Sequence, residues 1–171
     1  MATESQTWRP EWAVVPGEIL QEALQDRGMS QAELARRMGR PTKTINEIIN
    51  GRAAITPDTA IQLERTLGIK ASFWNNLETS YRERLASDRA QRELEASAEW
   101  ASRFPIRDLE RNGLIPPGLT KSGKVAALLS YFSVASRDVW EKQWLAPAVS
   151  FRKSPAFASS TEATASWLRW G

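Results

Sequence analysis

Neither cysteine nor histidine occurs anywhere in the 171 residues. That double absence removes disulfides, thiolate nucleophiles, zinc sites built on Cys or His, and every catalytic triad that needs an imidazole. Long apolar runs are also missing. No stretch approaches the roughly 18 residues of a membrane-crossing helix, and the N-terminus lacks the apolar centre of a secretion signal, so a cytoplasmic protein is expected. Charge of one sign is scarce: 23 Lys and Arg against 20 Asp and Glu leave a net of +3. Carboxylates are numerous, but none falls at the spacing of a metal site or an acid/base pair. No metal, cofactor or enzymatic activity is therefore expected. What the chain does have is 42% hydrophobic residues, enough for one sizeable core or two small ones.

The most organised stretch runs from Ser30 to Gly51. Ser30 and Glu33 stand at capping-box spacing, which starts a helix at Ser30. Leu34, Ala35 and Met38 then share one face. Gly39 can turn left-handed at little cost and stops that helix. Pro41 forbids its continuation and suits the start of another, whose buried stripe is Ile45, Ile48 and Ile49. Counting Gln31 as one, Ala35 is fifth, Gly39 ninth, Ile45 fifteenth and Ile48 eighteenth. A small fifth residue lets two helices cross closely, the ninth supplies the turn, and the fifteenth and eighteenth reach the core. This is helix-turn-helix spacing.

Charge is placed to match. Residues 1–70 carry nine basic and nine acidic side chains, yet between Arg36 and Arg52 five cations (Arg36, Arg37, Arg40, Lys43, Arg52) face Glu47 alone. A basic stripe on a neutral domain suits a DNA-facing surface, although half of any solvated helix is polar.

Around this motif, Trp8 and Trp12 read as anchors in an N-terminal extension, 1–15. A first helix opens at Pro16-Gly17, turns Ile19, Leu20, Ala23 and Leu24 inward, and ends at Gly28. Thr56-Pro57-Asp58 starts a fourth helix with a capping threonine, an N-terminal proline and a carboxylate near the positive dipole end; Ala60, Leu63 and Leu67 face inward and Gly68 stops it. A fifth begins near Ser72 with Phe73, Trp74, Leu77 and Tyr81.

The 30–51 segment resembles the Cro/C1-type (XRE) repressor family, which implies an all-α, lambda-repressor-like domain of five helices over 16–85. Three further segments, 15–20 (Val-Pro-Gly-Glu-Ile-Leu), 49–60 (Ile-Asn-Gly-Arg-Ala-Ala-Ile-Thr-Pro-Asp-Thr-Ala) and 67–77 (Leu-Gly-Ile-Lys-Ala-Ser-Phe-Trp-Asn-Asn-Leu), resemble its HigA branch. That branch consists of antitoxins and autorepressors whose partner is a RelE/HigB-like ribonuclease toxin. The resemblance implies a homodimer on a double-stranded operator, with the 41–50 helix in the major groove. Carried over by position, Pro41, Thr42, Lys43, Asn46 and Glu47 meet bases, while Gln31, Arg40, Asn50 and Arg52 meet phosphates. Two alternatives stay open: Thr42 as a helix cap, and Glu47 as the i,i+4 partner of Lys43. Phe73, Trp74, Leu77 and Tyr81 are the dimer candidates, with core packing the competing role for Phe73 and Leu77.

The second half departs from that branch, which usually finishes after the fifth helix. A continuous helix is expected over Tyr81–Trp100, with 86–103 as a helical connector. Residues 82–111 carry seven arginines and seven carboxylates, a balanced solvated surface. Phe104-Pro105 breaks the helix and opens a helical module, 104–171. Helices are expected over 106–112, 121–132 and 136–144, with a last one from about Ser160. Phe104–Leu109, Phe151–Phe157 and Ala165–Arg169 resemble the linker of regulators that join a helix-turn-helix to an ImmA/IrrE-type metallopeptidase. Without histidine the zinc motif of such a peptidase is absent. A chain ending at Trp170-Gly171 inside a helical pattern reads as one cut short. The alternative to an antitoxin is therefore the DNA-binding and linker part of a longer protease-coupled regulator.

Overall fold

Proline begins two of the described helices, and a left-handed glycine follows five of them within two residues. The computed structural model describes residues 14–145 and 160–170, all helices and connections; Trp8, Trp12 and the 151–157 motif lie outside them. Helix α1 spans Pro16–Asp26, and Gly28 at φ +58° lets the Met29 N–H return to the Leu24 carbonyl at 2.9 Å. Helix α2 spans Gln31–Met38, α3 Thr42–Ile49, α4 Pro57–Leu67 and α5 Ala71–Ala96. The Ser30 hydroxyl accepts the Glu33 N–H and Thr56 accepts that of Thr59, as their spacing predicts. The capping box forms only halfway, because the Glu33 carboxylate turns to Arg36 and Arg37 instead of back to Ser30.

Two units divide between Ser87 and Asp88, inside α5. The first closes on Leu20, Leu24, Leu34, Ala35, Ile45, Ile48, Ile55, Ala60, Leu63 and Trp74. Ala35 at the helix crossing is fully buried. Gly17 makes a second close approach: a Cβ there would collide with the main-chain carbonyls of Ile48 and Ile49, so the start of α1 lies directly against the end of α3. The Arg27 guanidinium donates to the Leu67 carbonyl at 2.8 Å, supplying a partner for the C-terminus of α4.

Helix α5 merges what the sequence suggested as two elements, the fifth helix and the 81–100 helix. It also stops sooner. Ser97, at φ −92° and ψ 4°, interrupts it, and a short α6, Ala98–Ala101, re-aims Trp100 into the core of the second unit. Helices α7, Ile106–Arg111, and α8, Lys121–Phe132, follow at the expected places. The helix expected over 136–144 is only one turn, α9 at Arg137–Trp140, continued by a π turn at Glu141–Leu145; Trp140 and Trp144 both pack on Phe132. Helix α10 covers Thr161–Trp170. It is held where the Tyr131 hydroxyl donates to the Ser166 carbonyl at 2.8 Å and Arg169 donates to the Tyr131 carbonyl and the Ser133 hydroxyl, both at 3.1 Å. Among the described residues, no helix is long and apolar enough to cross a membrane.

Candidate nucleic-acid interface

The two faces of α3 are strictly divided. Ile45 and Ile48 are buried in the core, whereas Pro41, Thr42, Lys43 and Asn46 are exposed. Pro41 is the N-cap, and its side chain makes no capping bond; Thr42 is the first helical residue and does not cap. Its side chain is thereby left outward. Lys43 Nζ lies 3.8 Å from Glu47 Oε1, so the i,i+4 pairing forms, with the lysine side chain 84% exposed. Such a loose surface pair contributes only about 0.5 kcal/mol or less and is readily exchanged for another acceptor.

Three of the expected contact residues are joined in one amide network. Gln31 Nε2 donates to Gln21 Oε1 at 3.3 Å, Asn46 Nδ2 donates to Gln31 Oε1 at 3.3 Å, and Asn50 Nδ2 donates to both Asn46 oxygens, the carbonyl at 2.7 Å and Oδ1 at 3.1 Å. Three helices are thus pinned through polar side chains at the motif's surface. Gln31 keeps one amide hydrogen for an outside acceptor, and so does Asn46. Asn50 does not: its two amide hydrogens serve Asn46, and its remaining oxygen accepts only, which a phosphate cannot satisfy.

The cations also differ from one another. Arg36 and Arg37 clamp Glu33 at 2.6 and 2.7 Å. Hydrogen bonds from Arg36 and then Arg37 hold the Glu33 carboxyl below the usual carboxylate range, and the same bond raises Arg36. Glu33 lies just outside the Arg36–Arg52 charge window and neutralises part of it. Arg40 Nε donates to Gln62 Oε1 at 2.5 Å, tying α2's end to α4. Arg52 is exposed on the loop after α3, where its N–H and that of Ala53 return to the Glu47 carbonyl at 2.8 and 3.1 Å. Lys43 and Arg52 are therefore the cations best presented to a polyanion. No cluster of three or more acidic side chains able to hold a metal occurs among the described residues.

Of the dimer candidates, Trp74 is corrected. It is completely buried in the first core and offers nothing to a partner. Phe73, on the adjacent position, is 44% exposed, while Leu77 and Tyr81 are half-buried. Sequence reasoning missed Gln21, Gln62 and Glu78. Only Glu78 carried a signal, as a carboxylate one turn after Trp74 on the inward stripe.

The helix-turn-helix family model matches residues 20–74. The HTH-type transcriptional regulator YddM of Escherichia coli is 36% identical over 66 residues, 39% of this chain and 70% of that protein. Virulence-associated protein I of Dichelobacter nodosus is 39% identical over 80 residues, 46% of this chain and 74% of that one. This chain belongs to the XRE-type helix-turn-helix family. In the family's terms α2 and α3 are the two helices of the motif. The solved structure of Pseudomonas aeruginosa antitoxin HigA with the higBA promoter is 34% identical, covering 50% of this chain and 94% of that one, with a TM-score of 0.46. The family model ends at Trp74, within the first unit.

Proposed function

We propose that this protein is a sequence-specific repressor of double-stranded DNA that reads its operator with residues 41–50 and acts as a HigA-type antitoxin and autoregulator. The observation that carries the reading is the division of α3, with Ile45 and Ile48 locked in the core and Thr42, Lys43 and Asn46 held outward by the same helix. Lys43 donates to guanine acceptors, Glu47 accepts from cytosine once released by Lys43, and the Thr42 methyl touches thymine. Gln31 and Arg52 grip phosphates on either side of the groove. Arg40, engaged with Gln62, is a weaker phosphate candidate, and Asn50, with its amide hydrogens on Asn46, drops out.

One such helix reads too few base pairs to select a site in a genome, which calls for two half-sites about one helical turn apart and a twofold dimer. Phe73, Leu77 and Tyr81, spaced four residues apart along α5, are the surface for a second copy. A protein that scatters light as a monomer both free and on its operator would rule this out. The HigA-like segments at 15–20, 49–60 and 67–77 support a RelE/HigB-like ribonuclease as partner. A small ribonuclease-like gene beside this one, and co-purification of its product with this protein, would test that assignment.

Genome-fragment selection supplies the operator, and binding isotherms on operator and scrambled duplexes test the roles. Lys43→Ala should cost about 1–3 kcal/mol on the operator and little on the scrambled duplex. Equal losses on both would make Lys43 a phosphate contact and pass the reading to Thr42, Asn46 and Glu47.

A second unit with its own core beyond the matched span favours one alternative, the DNA-binding and linker part of a protease-coupled regulator. A coding sequence that continues into a His-Glu-x-x-His motif would establish it.

A further inference from the structure

We infer that Glu78 is a positioning residue for DNA binding: from α5 its buried carboxylate fixes the 50–55 loop, and through it the attitude of Arg52 toward the phosphate backbone. The inference rests on the reading of Arg52 as a phosphate contact.

Glu78 is 8% exposed and is the one charged residue buried among the described residues. A carboxylate is costly there unless its oxygens are engaged. Oε2 accepts the Ile55 N–H at 3.0 Å and Oε1 accepts Arg82 Nε at 2.6 Å. Ile55 itself is in the core. The loop after α3 is thus fastened at both ends: the Arg52 and Ala53 N–H groups return to the Glu47 carbonyl, and the Ile55 N–H goes to Glu78. Arg52 belongs to the first of these anchors and lies three residues before the second. Three residues on from Glu78, the Tyr81 hydroxyl stands where a Cβ on Gly51 would meet it at 3.9 Å, and Gly51 holds φ +69°. Helix α5 therefore braces the loop at Ile55, three residues after Arg52, with the Tyr81 hydroxyl near Gly51.

A purely structural role would change stability and leave the salt dependence of DNA binding untouched. An apolar side chain of similar size could fill the same space on α5, although it would leave the buried Ile55 N–H without an acceptor. What an apolar replacement cannot supply is an acceptor for the Ile55 N–H, and that bond is what fixes the loop.

The full chain is titrated onto a scrambled duplex across a salt series, alongside a denaturant unfolding curve for each variant. Arg52→Ala should lower the salt slope by about one. Glu78→Leu should lower it equally, and the double variant no further. Glu78→Gln, which keeps an oxygen acceptor, should retain the wild-type slope. Glu78→Asp, one methylene too short to reach Ile55, should behave as Glu78→Leu does and decides the matter if the leucine variant does not fold. A wild-type slope for the folded Glu78→Asp beside a reduced slope for Arg52→Ala overturns the inference alone. An unchanged slope for Arg52→Ala overturns the phosphate assignment and the inference with it.

Discussion

The two units solve the same packing problem with different side chains. In the first, aliphatic residues of similar size (Leu20, Leu24, Leu34, Ile45, Ile48, Leu63) fill the space between helices that approach at Gly17 and Ala35. In the second, Trp100, Phe104, Phe132 and Trp140 meet edge to face or tilted at centroid distances of 4.8 to 5.7 Å, with Trp144 against Phe132. Short elements such as α6 and α9 cannot interdigitate over several turns, so large rings span the gaps instead. Close helix contact fixes the attitude of α3 to within a side chain's tolerance. Ring packing is more forgiving of position, and within the matched family span it is limited to Phe73 against Trp74.

The largest expected effect breaks the second unit alone. Trp100→Ala should cost about 3–5 kcal/mol, seen as early unfolding of residues beyond Asp88 by hydrogen exchange. Trp100→Phe should cost far less, because it keeps a ring and deletes a buried indole N–H that has no acceptor. We propose that the 104–171 module is separate from DNA binding, so operator affinity should stay within a few-fold in both variants. A hundredfold loss in a folded protein would make the two units one functional body.

Gly17→Ala probes the first unit's close approach. The added methyl meets backbone carbonyls that cannot swing aside, so about 1–3 kcal/mol of stability should be lost. Operator affinity should fall with it as α3 is displaced, which denaturant curves and binding isotherms together would register. An equal change in the second unit's exchange rates would erase the contrast between them.

Tyr131→Phe should cost about 0.5–1.5 kcal/mol by removing the hydroxyl that holds α10. Burial raises the Tyr131 hydroxyl, with Arg169 opposing. A group raised in the folded state contributes fully below its unfolded value and is lost as pH climbs through the folded one. Docking of α10 should therefore weaken only in alkali, and the phenylalanine variant should lose that pH dependence, followed by tryptophan fluorescence.

The smallest effect belongs to Glu33. Its depressed carboxyl lends stability above the ordinary carboxylate range and gives it up as pH falls through the folded value. Because the site is exposed, an acid titration of the first unit's melting temperature should differ only slightly between wild type and Glu33→Gln.

The first unit was largely legible because its signals are local. Ser30, Gly39, Thr56-Pro57 and Gly68 mark boundaries by backbone chemistry, and the apolar stripes follow the helical period. Trp74 was misassigned because Phe73, Trp74, Leu77 and Tyr81 look alike in hydropathy, and only packing decides which ring turns inward. Asn50 and Arg40 read as free polar groups because their partners, Asn46 and Gln62, are identifiable only once the helices are placed. In the second unit, balanced charge and short elements weakened the periodic signal, so the break at Ser97 and the π turn after Trp140 gave no local sign.

By itself, then, the sequence determined the number and order of the helices in the first unit, the turn between α2 and α3, and the residues that face outward on α3. Each of these follows from capping, from the φ preferences of Gly and Pro, or from a 3.6-residue period. Tertiary structure alone decided which donors remain free, that Glu78 fastens the loop of Arg52, and that Gly17 sets the distance between α1 and α3. Those facts depend on pairs of groups distant in sequence, and no local propensity encodes which long-range partner a polar side chain will meet.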